Sequence, residues 1–228
     1  MNCFSKWAGE LGFEYNLVDA GWSNWEGQGR DSWDMIRELV DYSAPLGVKI
    51  WVWKAYPDDR GVDGIQTPER LQAFLKKCRE TGVAGVKIDY FYDESQQVVR
   101  FYEDALKEAA KYQLMVDFHG ADKPTGLNRT FPNELTREGI RGLEIRGPWA
   151  THNTILPFTR YLAGPADFTP VTFSPKRLSE TSWCHQVATA VIFTSPFLCY
   201  GVDPEQLLAN PACDMVKSIP AVWDETIV

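Results

Sequence analysis

Short apolar segments alternate with amphipathic segments along most of this chain, and this alternation constrains its fold more than any other feature. The apolar segments predict strands at 14–19, 48–53, 85–90 and 114–118. The segments between them have helical periodicity, at 31–46, 67–81 and 95–112. A regular order of strand and helix predicts a parallel sheet whose strands are joined by crossover helices.

Residues at the ends of the amphipathic segments support these helices. Asp31 and Thr67 each precede a periodic segment and are typical N-cap residues. Pro68 follows Thr67 directly and suits the first helical position, while Gly47 and Gly82 are glycines of the kind that end helices.

The second half of the chain gives weaker signals. It predicts short strands at 142–145, 167–172 and 197–200, with a helix at 182–193. These bring the candidate strands to seven, and a predicted helix at 4–11 precedes the first of them. Both a closed (β/α)8 barrel and an open doubly wound sheet fit this order, although no GxGxxG follows the first strand, which weakens a dinucleotide-binding sheet.

We therefore expect an α/β fold, a TIM-type (β/α)8 barrel that lacks its first strand, as a single catalytic domain over residues 1–228. A net charge of −8 argues against nucleic acid as a partner. No apolar run approaches the roughly 20 residues of a membrane span, so no membrane partner is expected. The five Cys show no CxxC spacing, which argues against a zinc or redox site.

The active site of a (β/α) barrel lies at the C-terminal ends of its strands. Polar and aromatic residues gather at these predicted ends, namely Asp19, Trp22, Lys54, Lys87, Asp89, His119 and Glu144. Lys87 and Asp89 are two apart on one strand and therefore face the same side. This pair fits a catalytic or substrate-binding acid and a buried structural ion pair equally well. A Schiff-base lysine fits less well, because a neighbouring carboxylate keeps an amine protonated.

Glu144 is the second candidate for chemistry. Glycosidases use two carboxyl groups, and Asp89 with Glu144 on separate strand ends could form such a pair. Glu144 lies between Leu143 and Ile145, which favours a strand position over a solvated one. The long polar loop that begins at His119 is also typical of functional loops.

Several segments of the sequence resemble glycoside hydrolase family 97. They are Leu17–Trp22, Gly85–Tyr90, His119–Ala121, Pro124–Gly126, Arg129–Asn133, Glu138–Glu144, Gly164–Pro170 and Trp223–Thr226. The resemblance implies a (β/α)8 catalytic domain that acts on α-glycosides and holds Ca²⁺ near its acid. It implies that Glu144 is the proton donor and that Glu138 is a calcium ligand, with Glu144 as a second ligand.

The resemblance also implies the stereochemistry. Inverting members carry a catalytic Glu directly after the His that closes a strand, and that position is Gly120 here. Retaining members instead carry an Asp nucleophile on the earlier strand, where this chain has Asp89. Retaining members include α-galactosidases, so α-galactosidase is the expected activity, with α-glucosidase as the alternative.

The expected mechanism is double displacement on an oligosaccharide or simpler glycoside, with Asp89 as nucleophile and Glu144 as acid/base. Lys87 and His119 are expected to bind sugar hydroxyls and Asp19 with Trp22 to shape the pocket; Lys54 is a further substrate-binding candidate.

The resemblance also implies flanking β-domains and a first barrel strand, which we expect this chain to lack. We therefore expect weakened or lost calcium binding and self-association through exposed barrel edges. A non-catalytic carbohydrate-binding fragment remains a rival reading, as does a Schiff-base aldolase. The resemblance implies a periplasmic or secreted location.

Overall fold

A computed structural model describes residues 2–27, 29–59 and 61–225. Thr226, which ends the family-like segment Trp223–Thr226, lies outside these residues. The chain divides into a first unit of residues 1–121 with 127–134 and a second unit of residues 122–126 with 135–228. The expectation of a single domain over 1–228 stays a prediction. No helix of the described residues is long and apolar enough to cross a membrane.

The first unit is built from alternating helices and strands. Its helices are α1 (Asn2–Leu11), α2 (Ser32–Ser43), α3 (Pro68–Thr81) and α4 (Gln96–Lys111). Its strands are β1 (Tyr15–Val18), β2 (Lys49–Ala55), β3 (Gly85–Asp89) and β4 (Met115–Phe118). The four strands predicted in this part of the chain are thus confirmed to within two residues at each end.

The strands form one sheet in the order β1-β2-β3-β4-β5, where β5 is Glu134–Arg137, and β1 to β4 pair in parallel. The parallel register places Trp53 opposite Lys87, and Lys87 opposite Asp117. The predicted parallel sheet with crossover helices is therefore confirmed.

Capping residues set the helix boundaries as expected. Asp31 and Asp34 form a capping box at the start of α2. Thr67 accepts a hydrogen bond from the backbone N–H of Arg70 at the start of α3, and Gly82 ends that helix with φ +90°. A left-handed residue satisfies carbonyls at the end of a helix, and glycine adopts this conformation without steric cost.

The two faces of the sheet differ in chemistry. One face packs with the helices into an apolar core, whose strand residues are Ile50, Val52, Val86, Ile88, Val116 and Phe118. Because side chains alternate along a strand, the intervening residues point to the opposite face. That face carries Trp53, Lys87, Asp89 and Asp117, and all four are buried. This face of the sheet therefore carries the candidate functional residues of strands β2 to β4.

The second unit has shorter elements. Its helices are α5 (Trp149–Ile155), α6 (Pro175–Leu178), α7 (Trp183–Ile192), α8 (Pro204–Leu208) and α9 (Cys213–Ser218). Its apolar core consists of Leu143, Trp149, Leu156, Phe168 and Phe193. The predicted helix at 182–193 is confirmed as α7, and the Ser182 side chain caps it by accepting from the N–H of His185.

The three weaker strand predictions are wrong. Residues 143 and 144 lie in a turn, and 167–172 and 197–200 are irregular. The fifth strand is β5 instead, which no apolar pattern announces. Its residues Glu134, Thr136 and Arg137 are buried although they are polar, so hydrophobicity alone does not reveal the strand.

Candidate active site

The candidate site of the first unit lies at the C-terminal ends of β1 to β4. Asp19 follows β1, Trp53 lies near the end of β2, Asp89 ends β3 and His119 follows β4. Because these strands are parallel, their carboxyl ends meet at one edge of the sheet. The structure thus brings together Asp19, Asp89 and His119, which the sequence predicted at three separate strand ends.

Asp89 is the best-defined acid of this site. It is 7% exposed, and both of its carboxylate oxygens accept hydrogen bonds. The indole N–H of Trp53 donates to Oδ2 at 2.8 Å, and the backbone N–H of Tyr90 donates to Oδ1 at 2.6 Å. Donors to an ionised carboxylate form strong, short bonds and stabilise the charged form. The carboxylate is therefore held in one orientation, as a nucleophile requires.

Lys87 forms an ion pair with Asp19. Its Nζ lies 2.9 Å from Asp19 Oδ2, and the two side chains are 4% and 54% exposed, respectively. Asp19 Oδ1 also accepts a hydrogen bond from the backbone N–H of Ala20. An ammonium held by a carboxylate stays protonated, which argues against a Schiff-base lysine here.

Gly120 lies against the carboxylate of Asp89. A Cβ at position 120 would stand 2.9 Å from Asp89 Oδ1 and 3.2 Å from the backbone nitrogen of Tyr90. His119 is buried, and its backbone N–H donates to the carbonyl of Ile88 at 2.8 Å. The end of β4 is thus fixed beside the end of β3, with no room for a side chain between them.

Trp22 and Lys54 lie at the edges of this arrangement. Trp22 is buried and donates its indole N–H to the carbonyl of Trp53 at 2.7 Å. Lys54 points to the helix side of the sheet, where its Nζ lies 5.9 Å from the ring centroid of Phe74. Burial lowers the pKa of Lys54. The structure therefore does not bring Lys54 to the face that carries Asp89.

Sequence reasoning missed two residues of this face. Trp53 contacts Asp89 directly, and Asp117 is a fully buried acid opposite Lys87 in the register. The available signal was the alternation along each strand, because residues two apart share a face. Trp53 precedes Lys54 directly in the sequence. Because neighbouring residues of a strand point to opposite faces, the choice of Lys54 for its charge placed the predicted site residue on the wrong face of β2.

The second unit contains the two glutamates of the family-like segment. Glu138 directly follows β5 and is half-buried, and a Cβ on Gly142 would stand 3.3 Å from its Oε1. Arg160 fixes the backbone at this point by donating to the carbonyl of Glu138 at 2.8 Å. Glu144 is exposed on the turn that begins at Leu143. The expectation of an apolar strand position for Glu144 is therefore wrong.

These two glutamates are an incomplete donor set for calcium. Ca²⁺ takes six to eight oxygen ligands, often including several carboxylates. In the part of the second unit that the structure describes, no third acidic, His or Cys ligand atom joins either glutamate in a cluster of metal-binding size. Backbone carbonyls and water would have to supply the remaining ligands.

Comparisons with known proteins agree on one group. The sequence profile of the family described as glycoside hydrolase 97 matches residues 1–140. A probable retaining alpha-galactosidase of Streptomyces bingchenggensis is 37% identical over 98% of this chain and 35% of its own length. A retaining alpha-galactosidase of Bacteroides thetaiotaomicron is 33% identical over 99% of this chain and 36% of its own length. The chain thus spans about a third of these curated relatives.

Solved structures show the same fold. A glycoside hydrolase family 97 enzyme from Pseudoalteromonas sp. strain K8, solved with acarbose, matches 98% of this chain and 40% of its own, with 26% identity and a TM-score of 0.82. A beta-arabinopyranosidase matches 98% of this chain and 38% of its own, with 25% identity and a TM-score of 0.79. These likenesses confirm the TIM-type barrel class, of which five strands are present here.

Proposed function

This chain belongs to glycoside hydrolase family 97, and from that premise we propose that it supplies the catalytic residues of a retaining α-glycosidase. The observation that carries the proposal is the pair Asp89 and Gly120. An oriented carboxylate ends β3, and the space where a side chain at position 120 would begin is filled by that carboxylate. An acid on β3 fits a nucleophile, and a glycine at 120 leaves no alternative base there.

The proposed reaction is a double displacement. An oxygen of Asp89 forms a bond to the anomeric carbon as the bond to the leaving oxygen breaks, and Glu144 gives that oxygen a proton. Water then attacks the same carbon, Glu144 takes a proton from the water, and the bond to Asp89 breaks. The exposure of Glu144 supports its role, because an acid/base must reach both the leaving group and water.

The ion pair of Lys87 and Asp19 is proposed to bind sugar hydroxyls. Asp19 is half-exposed and can accept hydrogen bonds while Lys87 stays buried behind it. His119 and Trp22 are both buried. His119 is proposed to bind a sugar hydroxyl together with Lys87, and Trp22 is proposed to shape the pocket with Asp19. Lys54 gains no support for substrate binding from its position on the helix side of the sheet.

An α-galactoside is the proposed substrate. The two curated relatives described above are named a probable retaining alpha-galactosidase and a retaining alpha-galactosidase, and they are 37% and 33% identical to this chain over the aligned residues. The alternative is an α-glucoside, because the Pseudoalteromonas enzyme was solved with acarbose and, as a variant, with panose. Rates on matched aryl α-galactosides and α-glucosides would decide between these two sugars.

The stereochemical test uses proton NMR of the sugar anomer released first from an aryl α-galactoside. Release of the α-anomer first supports retention with Asp89 as nucleophile, whereas release of the β-anomer overturns the mechanism. D89A with added azide is the matched test of the nucleophile. Because azide can replace a missing carboxylate on that face, we expect a β-glycosyl azide from D89A and none from E144A.

Calcium binding through Glu138 and Glu144 is a second proposal. Terbium luminescence titrated against Ca²⁺ would measure binding without an activity assay. We expect E138Q to weaken binding, and E134Q, which lies on β5 outside the proposed ligand set, to serve as the control. Equal affinities for the unmodified protein and E138Q would contradict the assignment.

The rival to the proposed function is a non-catalytic carbohydrate-binding fragment. A non-catalytic fragment would bind galactosides and release no product.

Self-association is proposed through the edge of the sheet at β1, because a strand edge presents unpaired backbone groups. Sedimentation of the purified chain at several concentrations would measure it.

A further inference from the structure

We propose that Trp53 is the positioning residue for the Asp89 carboxylate. The inference rests on the proposed function, since it assigns a role in orienting the nucleophile of that reaction. It concerns a residue that no polar motif indicates. Trp53 lies on β2, and Asp89 ends the neighbouring strand β3.

The first argument is the hydrogen bond itself. The indole N–H of Trp53 donates to Asp89 Oδ2 at 2.8 Å, and both side chains are almost fully buried. The backbone N–H of Tyr90 donates to the other oxygen. Two donors on two different oxygens fix the rotation of the carboxylate about its Cβ–Cγ bond. In a buried site, such charge-assisted bonds are stronger than in water.

The second argument is that Trp53 is itself held in place. Its backbone carbonyl accepts the indole N–H of Trp22 at 2.7 Å. Its ring packs edge-on against Tyr90, with 5.4 Å between the ring centroids. The register puts Ala55 opposite Asp89, so the small residue leaves room for the carboxylate between β2 and the end of β4. The donor therefore cannot swing away without disturbing several contacts.

Both steps of the reaction depend on this orientation. Attack requires a carboxylate oxygen about 3 to 3.5 Å from the anomeric carbon with its orbital aligned, and a rotated carboxylate loses that alignment. In the second step the bond between Asp89 and the sugar breaks, and negative charge returns to the carboxylate. A fixed donor stabilises that charge as it develops. Loss of the indole N–H should therefore slow glycosylation and deglycosylation together.

The kinetic test compares W53F with W51F. Trp51 is also fully buried on the same face of β2, and the register pairs it with Gly85, four positions before Asp89, so W51F makes the same change of ring away from the end of β3. We expect W53F to lower kcat for an aryl α-galactoside by about tenfold more than W51F, equivalent to about 1.4 kcal/mol. KM should change by less than about threefold, because the lost interaction acts mainly in the transition state. Equal losses in both variants would overturn the proposal.

A second variant covers a failure of W53F to fold. Replacement of Trp53 by 3-benzothienylalanine keeps the shape of the ring and removes only the N–H. We expect the same fall in kcat from this replacement as from W53F. An unchanged kcat would show that the N–H has no positioning role.

A measurement without turnover separates the two proposals. The indole signal of Trp53 in a proton–nitrogen NMR spectrum is assigned by its loss in W53F. In D89A it should move upfield and exchange faster with water, because its acceptor is gone. An unmoved signal would overturn the positioning role, whatever the activity. Absence of hydrolysis by the unmodified protein would instead count against the proposed function.

Discussion

The α-carbon of Gly120 faces the carboxylate of Asp89 so closely that a Cβ there would stand 2.9 Å from Asp89 Oδ1. Gly120 also has φ +57°, in the left-handed region that residues with a side chain rarely adopt. A side chain at position 120 therefore competes with Asp89 for the same space. A glutamate at position 120 of this chain would therefore displace the Asp89 carboxylate from the position that it occupies here.

We expect G120A to destabilise the protein more than G12A does. Gly12 has φ +75° with nothing within 4 Å of a Cβ, so G12A adds only backbone strain, about 1 kcal/mol. G120A adds the displacement of Asp89 to that strain, so we expect a loss of about 2 kcal/mol or more. It should also lower kcat/KM at least about tenfold, because a displaced nucleophile is misaligned. Urea unfolding and hydrolysis rates measure the two effects.

The D89A background provides the control for this clash. With the carboxylate removed, G120A should cost about as much as G12A, since only the strain of the left-handed backbone remains. If G120A lowers stability as much in D89A as in the unmodified protein, the Cβ at position 120 clashes with the backbone nitrogen of Tyr90 instead, which lies 3.2 Å from it.

The ion pair of Lys87 and Asp19 should matter more to stability than exposed pairs. In D19N the ammonium of Lys87, which is 4% exposed, faces an amide where it had the carboxylate of Asp19, and we expect a loss of about 1 kcal/mol. Glu103 and Lys107 form the matched pair at 3.0 Å, with both side chains about half-exposed. E103Q should cost less than about 0.5 kcal/mol. Unfolding in urea measures both, and equal losses would contradict the role given to burial.

The first half of the fold could be predicted from sequence because its signals are local. Strands β2 to β4 are mostly buried, as expected of strands that are covered on both faces. Asp31 and Thr67 mark helix starts through hydrogen bonds to their own helices. These interactions join residues that are only a few positions apart, so the local sequence pattern is enough to predict the helices and strands.

The second half could not be predicted because its order comes from distant partners. β5 is made of polar residues that are buried, and the loop after it is fixed by Arg160, more than twenty positions away. The apolar residues around Glu144 indicated a strand, yet Leu143 packs into the core from a turn while Glu144 and Ile145 are exposed. Periodicity does not distinguish a short strand from a turn with one buried residue.

Arg160 should be irreplaceable by lysine. Its guanidinium donates to five backbone carbonyls, those of Arg137, Glu138, Gly139, Gly164 and Pro165. An ammonium has three donors and no planar fork, so R160K leaves at least two of these carbonyls without their donor. We expect a loss of about 2 kcal/mol in the free energy of unfolding. Arg177 is exposed on α6, and R177K, as the control, should change stability by less than about 0.5 kcal/mol.

A test of Arg160 should include the segment that it holds. Hydrogen exchange of residues 137–140 measures local opening, and we expect faster exchange there in R160K than in R177K. Faster exchange throughout the second unit would mean that Arg160 stabilises the whole unit rather than the backbone that carries Glu138.

Cys78 should be unreactive in the folded protein. It lies on α3 with no exposed surface, and burial raises the pKa of its thiol well above the usual value. A raised thiol pKa means that the group stays protonated at pH 8 in the folded state, and the thiolate is the reactive form. We therefore expect iodoacetamide to label Cys3 and Cys184, which are exposed, and to spare Cys78.

Unfolding should reverse this protection. As urea exposes α3, the pKa of Cys78 falls to its ordinary value, and its labelling should follow the unfolding transition of the first unit. Mass spectrometry of the labelled peptides gives the rate for each thiol, with Cys184 as the internal standard. Labelling of Cys78 in native buffer as fast as Cys184 would show that α3 separates readily from the sheet. The strands that carry Trp53 and Asp89 would then lack a stable α3 packed against them.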